Sequence, residues 1–536
     1  AMFSAHGGGD TWFLIGFSGS NAGIDVDWYN GSTRLARKYS NQVFKDPSAW
    51  YNVVVAVDTT DSTADDRIKV YINSTQITSW SVDTNPSQDS DTYINSTNLH
   101  TIGKNASTSR TTYFDGYLAE VNLIDGLQLT PTSFGEDKNG IWIPKLYTGS
   151  YGTNGFRLQF IGTGTSTSSG SVANPTNIGD DSSGQNNHFA VTNLAASDSN
   201  MPDCPENNFA TLNPLYYLTA STHLSEGNLQ LTHESTAHRA NAGTMFFTSG
   251  KWYFEVRNKT DTAGATVALG VGLQDITKNL TYATGADNYV FYVNNNNARF
   301  KANAGTATTF STDGTYTVGA GDIVQVAYDV DSGKIFIGLN NTYIAEDAGN
   351  DGDPAGGNNP TKTLSTALEY IPFVGVYNNE ATANFGQDDT FAGAISSEGN
   401  TDQNGKGVFK YAPPSGFLAL CSSNLPEPDI GPSQSKQAND FFDVLTYSGT
   451  NSSQNVTGLD FKPDWVLIKS RSHSSNPTFF DSSRTPVGTA LFANLTNANT
   501  DNTANFTAFR TDGFTVASNG GDTNLSGRTY VAWNWK

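Results

Sequence analysis

Residues 250–273 read GKWYFEVRNKTDTAGATVALGVGL, and this stretch decides the fold class. After a turn glycine, Lys251, Trp252, Tyr253, Phe254, Glu255 and Val256 alternate polar and large apolar side chains at period two, the pattern of a β-strand. A polar, turn-rich gap leads into a second strand, TVALGVGL, at residues 266–273. Gly270 and Gly272 lie two apart and so share one face. Glycine weakens a strand there unless another backbone or a ligand must come close.

Working outward, GDIVQVAYD (321–329), KIFIGLNN (334–341), YIPFVGVY (370–377) and NFGQ (384–387) follow in order. This ordered set closely resembles the SPRY domain over roughly residues 215–420. The resemblance implies a bent antiparallel β-sandwich that binds partners through its loops, and it implies no chemistry.

The totals agree with a chain of strands and turns. Charged residues make up 15% of the 536, below the ~25% usual for soluble domains. Gly, Ser, Thr and Asn fill the difference, as expected for short strands joined by many turns. A length of 536 residues exceeds one core and implies three or four domains at ~150 residues each. The net charge of −21 repels phosphate backbones and anionic lipid, so nucleic acid is not an expected partner. No apolar run approaches the ~18 residues that span a bilayer, and membrane insertion is not expected. The two cysteines, Cys204 and Cys421, exclude a disulfide-built scaffold and flank the SPRY-like stretch. Both a bridge between them and two separate thiols are open readings.

An all-β chain of tandem β-sandwich modules is therefore expected: a jelly roll at 1–160, a linker or extended segment at 161–213, a SPRY-like sandwich at 214–420, a Pro-rich linker at 421–440, and a third β-domain at 441–536. In the first module, WYNVVVAVDTT, DRIKVYINSTQI and YFDGYLAEVNLIDG resemble the concanavalin/laminin-G-like jelly roll. One helical turn is expected at residues 130–135, with Pro131 at its first position. YGTNGFRLQF, GDDSSGQNNHFAVTNL and NNFATLNPL resemble connecting segments of large virion proteins of tailed phages, marine ones especially. GLDFKPDWVLIKSR and YVAWNWK resemble an uncharacterised β-domain of phage fibres. Both ends of the sequence read as cuts through a longer polypeptide, the last domain being truncated.

Several constellations resemble sites. Glu120-x-Asn122-x-x-Asp125 sits where jelly-roll glycosidases carry Glu-x-Asp-x-x-Glu, but that chemistry needs two carboxyls ~5 Å apart tuned by a third acid, and here the middle acid is an amide. No catalytic residue is expected. His233 and His238 are five apart in a strand-like segment, which points them to opposite faces rather than to one zinc ion, and His223 does not complete a set. The loop at 346–353 is acidic enough for calcium, with Asp347, Asp351 and Asp353 as candidate ligands, although it fails the EF-hand spacing. Asp58, Asp61, Asp65 and Asp66 form a similar cluster. No other cofactor is expected, and no nucleophile elbow, Walker A loop, dinucleotide fingerprint or C-x-x-C pair is present. Trp28 and Tyr29 beside Asn30, and Tyr289 and Tyr292 before an asparagine run, are candidate sugar-stacking residues.

By resemblance the expected function is a non-enzymatic structural and adhesion protein of a virion, as tail fibre, spike or capsid fibre. It would bind host-surface glycan or protein through many weak contacts, as a homo-oligomer, preferably a trimer, attached to other virion proteins. A bacterial extracellular or cell-surface adhesin is the first alternative, and a polysaccharide depolymerase the second.

Overall fold

A computed structural model describes residues 1–536 except 19–21, 47, 108–110, 139–140, 217–220, 260–268, 276–287, 295–296, 303–307, 310–317, 346–350, 427–435, 502–504 and 519. The chain is nearly all β, 41% strand and 3% helical, in several sheets consistent with tandem β-sandwich modules. Contacts divide it into two compact units, Ala1–Leu425 and Pro426–Lys536. Among the described residues no helix is long and apolar enough to cross a membrane.

The first unit opens with a six-stranded antiparallel sheet in which Thr11–Phe17 and Gly23–Asn30 lie centrally. Their alternation turns Phe13, Ile24, Val26 and Trp28 into one core with Ile68, Val70 and Ile72 of a three-stranded sheet, Val53–Val57, Ile68–Ile72 and Thr75–Gln76. Asp27 is buried in this sheet, where Arg34 binds it at 2.6 and 3.0 Å and Trp12 Nε1 donates to it at 3.1 Å. The expected helical turn is the 3-10 turn Pro131–Ser133, with Pro131 buried.

Residues 161–213 are packed into the first unit, a role that composition alone does not reveal. Phe156–Leu158 pairs with Val121–Leu123, and Leu158 bridges on to Asp181. Asp181 is fully buried and accepts the N–H groups of Arg157 (2.9 Å), Ser183 (2.8 Å) and Asn187 (2.9 Å). Buried carboxylates of this kind replace the hydrophobic core that a Gly-, Ser- and Thr-rich segment lacks. Further on, Trp50 Nε1 donates to Asp203 at 2.8 Å, and burial pushes the Asp203 carboxyl up to about 6.

The central module is a bent sheet hinged on the long strand Tyr370–Asn384. That strand pairs with Leu269–Asp275 through its first part, with Gln230–Ala242 along most of its length from Phe373 to Thr382, and with Lys251–Asn258 through its last residues. Lys251–Asn258 continues into Ile323–Asp329, Lys334–Leu339 and Thr342–Ile344. Trp252, Phe254 and Val256 face a large core with Val324, Val326, Ile335 and Ile337. The opposite face carries Tyr253, Ala327 and Phe336, and residues after the last long strand cover it with Phe409, Phe417 and Cys421. Gly386 of the NFGQ motif has φ +125°, and a Cβ there would lie 2.6 Å from the Phe209 ring, so glycine is required at this crossing.

Cys204 and Cys421 are separate free thiols, so the bridge that remained open in the sequence is not formed. Cys421 is buried, and burial pushes its thiol up to about 11, out of the nucleophilic range.

The second unit packs a six-stranded sheet against a three-stranded one, Gln454–Thr457, Gly513–Val516 and Phe506–Arg510. Val466, Ile468, Phe480, Tyr530 and Ala532 of the larger sheet meet Val456, Phe506, Phe514 and Val516 of the smaller.

Candidate functional site

The acidic set of the first module is tied into the local framework. Glu120 precedes the short strand Val121–Leu123 with φ +51°, and Arg157 grips its carboxylate at 2.9 and 2.7 Å. Asn122 donates to Glu120 O and accepts Tyr151 Oη, while Asp125 accepts Asn95 Nδ2 at 2.7 Å and Asn154 N at 3.1 Å. Each of the three side chains is thus engaged by partners of its own. Glu120→Gln is expected to lower the stability of the first unit by about 1 kcal/mol in urea denaturation, since a half-buried bidentate pair loses its charge.

His233 is buried, with Nδ1 at 2.9 Å from Thr222 Oγ1 and Nε2 at 3.1 Å from Ser235 Oγ. It fastens the strand Gln230–Ala242. In the calcium candidate loop, Asp347 lies outside the described residues. Asp351 and Asp353 are exposed. Asp353 accepts Gly356 N at 2.9 Å and Asn358 Nδ2 at 3.0 Å, and these bonds hold its carboxyl below the usual range. Asp58 and Asp61 likewise cap their own turns through Thr60 and Thr63. Among the described residues no three His, Cys, Asp or Glu side chains come together to hold a metal ion.

Of the candidate stacking residues, Trp28 is corrected: it is 4% exposed and belongs to the first core, because alternation along Gly23–Asn30 turns it inward with Val26. Tyr29 is half-buried and packs on Trp12 at 4.6 Å. Tyr289 and Tyr292 are placed only by backbone, opposite Leu273 and Gly270, and their side chains lie outside the described residues.

The exposed aromatic surface that the structure does assemble lies in the second unit. Its larger sheet places Phe442–Ser448, Thr529–Trp535, Trp465–Ser470, Thr478–Asp481 and Thr489–Phe492 side by side. Register aligns Phe442, Trp535, Trp465 and Asp481 in one row across four strands. The next row on the same face is Val444, Trp533, Leu467, Phe479 and Leu491. Ring centroids stand 4.9 Å apart for Phe442 and Trp535, 4.2 Å for Trp535 and Trp465, and 5.1 Å for Trp465 and Phe479. Phe442 and Leu491 are each 38% exposed and Val444 is 40% exposed, with the three tryptophans half-buried.

Contiguous exposed apolar surface is a common property of interaction sites. One corner is polar: Arg484 donates to Asp481 through its backbone N–H at 2.9 Å and through Nε. Arg484 Nη1 is buried and has no hydrogen-bond partner among the described residues. An array of π-faces with a donor and an acceptor at its end can take up a flat apolar ligand that carries hydroxyls. The signal was in the sequence: WVLIKS and TYVAWNW are apolar in both alternating registers, so one register builds the core and the other faces outward.

A family model of the SPRY domain matches residues 251–388, and one described as a domain of unknown function (DUF7483) matches residues 437–536. No curated protein matches the chain. Among solved structures, the chain is similar to the SPRY domain of human HERC1, with 16% identity over 31% of this chain and 92% of that one and a TM-score of 0.23. It is also similar to the TRIM65 PSpry domain, with 14% identity over 33% and 91% and a TM-score of 0.24. A SPRY domain suggests a protein-interaction module.

Proposed function

We propose that this chain, with its SPRY domain at residues 251–388, is a non-enzymatic structural and adhesion protein of a virion that makes multivalent contacts with a host surface. The aromatic face at Trp465, Trp533 and Trp535 carries this reading. Axial C–H groups of a pyranose ring settle on indole faces, and its hydroxyls reach the Asp481 and Arg484 corner. One such site is shallow and weak. Repetition in a homotrimer and over many copies on a particle raises avidity by orders of magnitude without new contacts. The SPRY domain supplies a protein contact, with other virion proteins or with the host.

The test is binding of fluorescently labelled protein to intact candidate host cells, with unrelated cells as control and with or without calcium. Saturable, host-restricted binding that soluble host polysaccharide competes away is the expected result. Equal binding to all cells, or none by a folded oligomer, overturns it. Release of reducing sugar during incubation would favour a depolymerase instead.

A further inference from the structure

A groove of about 870 Å³ runs along the first module between the strand Val53–Val57 and residues 120–129. Both walls are strand edges. On one side, Asp58 N donates to Arg67 O and Asn73 N donates to Asn52 O, so the even-numbered residues of this strand bond to Ile68–Ile72. Antiparallel pairing alternates bonded and non-bonded positions. The N–H and C=O groups of Val53, Val55 and Val57 therefore point away from Ile68–Ile72 and into the groove.

The opposite wall follows the same logic. Arg157 N donates to Asp181 and Ser182 N donates to Arg157 O, so Arg157 faces residues 181–182. Phe156 and Leu158 then bond to Leu123 and Val121, which leaves the main chain of Asn122 facing the groove. Among the described residues these edge groups have no main-chain partner. Gln128 Nε2 donates to Asp66 O at 3.2 Å and reaches Ala56 O at 3.5 Å, tying the two walls together.

We propose that this groove is an acceptor for an extended peptide strand from a partner polypeptide, apolar at alternate positions and carrying Lys or Arg at its end. Unpaired main-chain groups on facing edges are the signature of a site for strand addition. The volume suits a strand of about five or six residues. Charge selects the occupant: Asp58 and Asp91 line the groove with Glu120, whose charge Arg157 already balances, and among the described residues no Lys or Arg lines it. The half-buried valines and Leu127, 54% exposed, take the apolar positions.

The experiment titrates the full chain with a fluorescein-labelled peptide KVTVTVK, alongside the same peptide N-methylated at alternate amides and the charge-reversed EVTVTVE. Saturable binding is expected for the first, with at least a tenfold loss for each of the others. Val55→Pro removes one outward N–H while leaving the ladder to Ile68–Ile72 intact, and it should weaken binding at least fivefold. Asp91→Lys, at an exposed rim position, is the second variant, and it should weaken the basic peptide while strengthening the acidic one. No saturable binding to the parent chain, or binding indifferent to N-methylation and to Asp91→Lys, overturns the proposal. Concentration-dependent dimerisation of the chain that Val55→Pro abolishes would also overturn it, by assigning the groove to a second copy.

Discussion

Glu255→Ala is expected to lower the stability of the Ala1–Leu425 unit by about 4 kcal/mol, read from the urea midpoint at unchanged slope. Glu255 is fully buried inside the central sheet. Its two oxygens accept Tyr411 N at 2.8 Å, Lys410 N at 3.0 Å, Tyr253 Oη at 2.8 Å and Asn384 Nδ2 at 3.4 Å. Alanine takes the acceptor from Tyr411 N, Lys410 N and Tyr253 Oη, while Asn384 Nδ2 keeps Val408 O at 2.9 Å, and it detaches residues 410–411 from the strand they cover. Orphaned donors cost about 1–3 kcal/mol each before relaxation.

The same residue sets a pH dependence. Burial pushes the Glu255 carboxyl from 4.5 to about 7, in spite of its donors, and burial likewise raises Asp203 from 3.8 to about 6. A folded pKa above the unfolded one means that the native state holds the proton more tightly. The contribution of Glu255 is therefore fully present below pH 4.5 and is lost as pH rises through about 7, a change on the order of 3 kcal/mol. Carboxylates held low act oppositely, among them Asp125 by Asn95 and Asp353 by Gly356, and their contribution is lost as pH falls below 3.8. Stability should therefore peak on the acid side, near pH 5, and decline toward pH 8. Glu255→Gln should flatten most of that decline; an unchanged slope would show that another group carries it.

The second large effect concerns the aromatic face. Trp465→Ala combined with Trp535→Ala is expected to reduce cell or glycan binding by at least a hundredfold, and each single change by about tenfold, as is usual for aromatic anchors at binding sites. Both rings lie on the outer side of the sheet, away from Val466, Ile468 and Ala532, so the circular dichroism spectrum should be preserved. Trp465→Phe keeps a π-face and should recover part of the binding. Full binding by the folded double variant would remove this face from the adhesion mechanism.

The strands were legible because period two is a direct consequence of the pleat, and the SPRY domain was legible through the resemblance of its ordered motifs. What escaped was polar structure. In Lys251–Asn258 the alternation marks Glu255 as solvent-facing, yet it is buried, because residues 409–421 cover that side of the sheet. Nothing in the local pattern of a strand announces a distant segment that returns to cover it. For residues 161–213 the sequence left a linker and an extended segment both open, because their order rests on buried carboxylates such as Asp181, which composition cannot separate from solvated ones. Trp28 and Trp465 show the same limit for ligand sites. Both stand in alternating strands, and only the packing decides that one is core and the other surface.

The segment before the SPRY domain and the one after it run antiparallel beside each other. Phe209 pairs with Cys421, Ala210 N donates to Leu420 O at 3.0 Å, and Ser422 N donates to Asn208 O at 2.8 Å. Entry and exit thus share one doorway, and the whole sandwich hangs from it as a loop. A tensile load along the polypeptide can pass across this short clasp and bypass the sandwich, whose loops stay unstrained while the clasp holds. The doorway is also sealed from within, because Phe209 and Cys421 belong to the sandwich's own core with Tyr253 and Phe336, so opening the clasp and unpacking that core are one event.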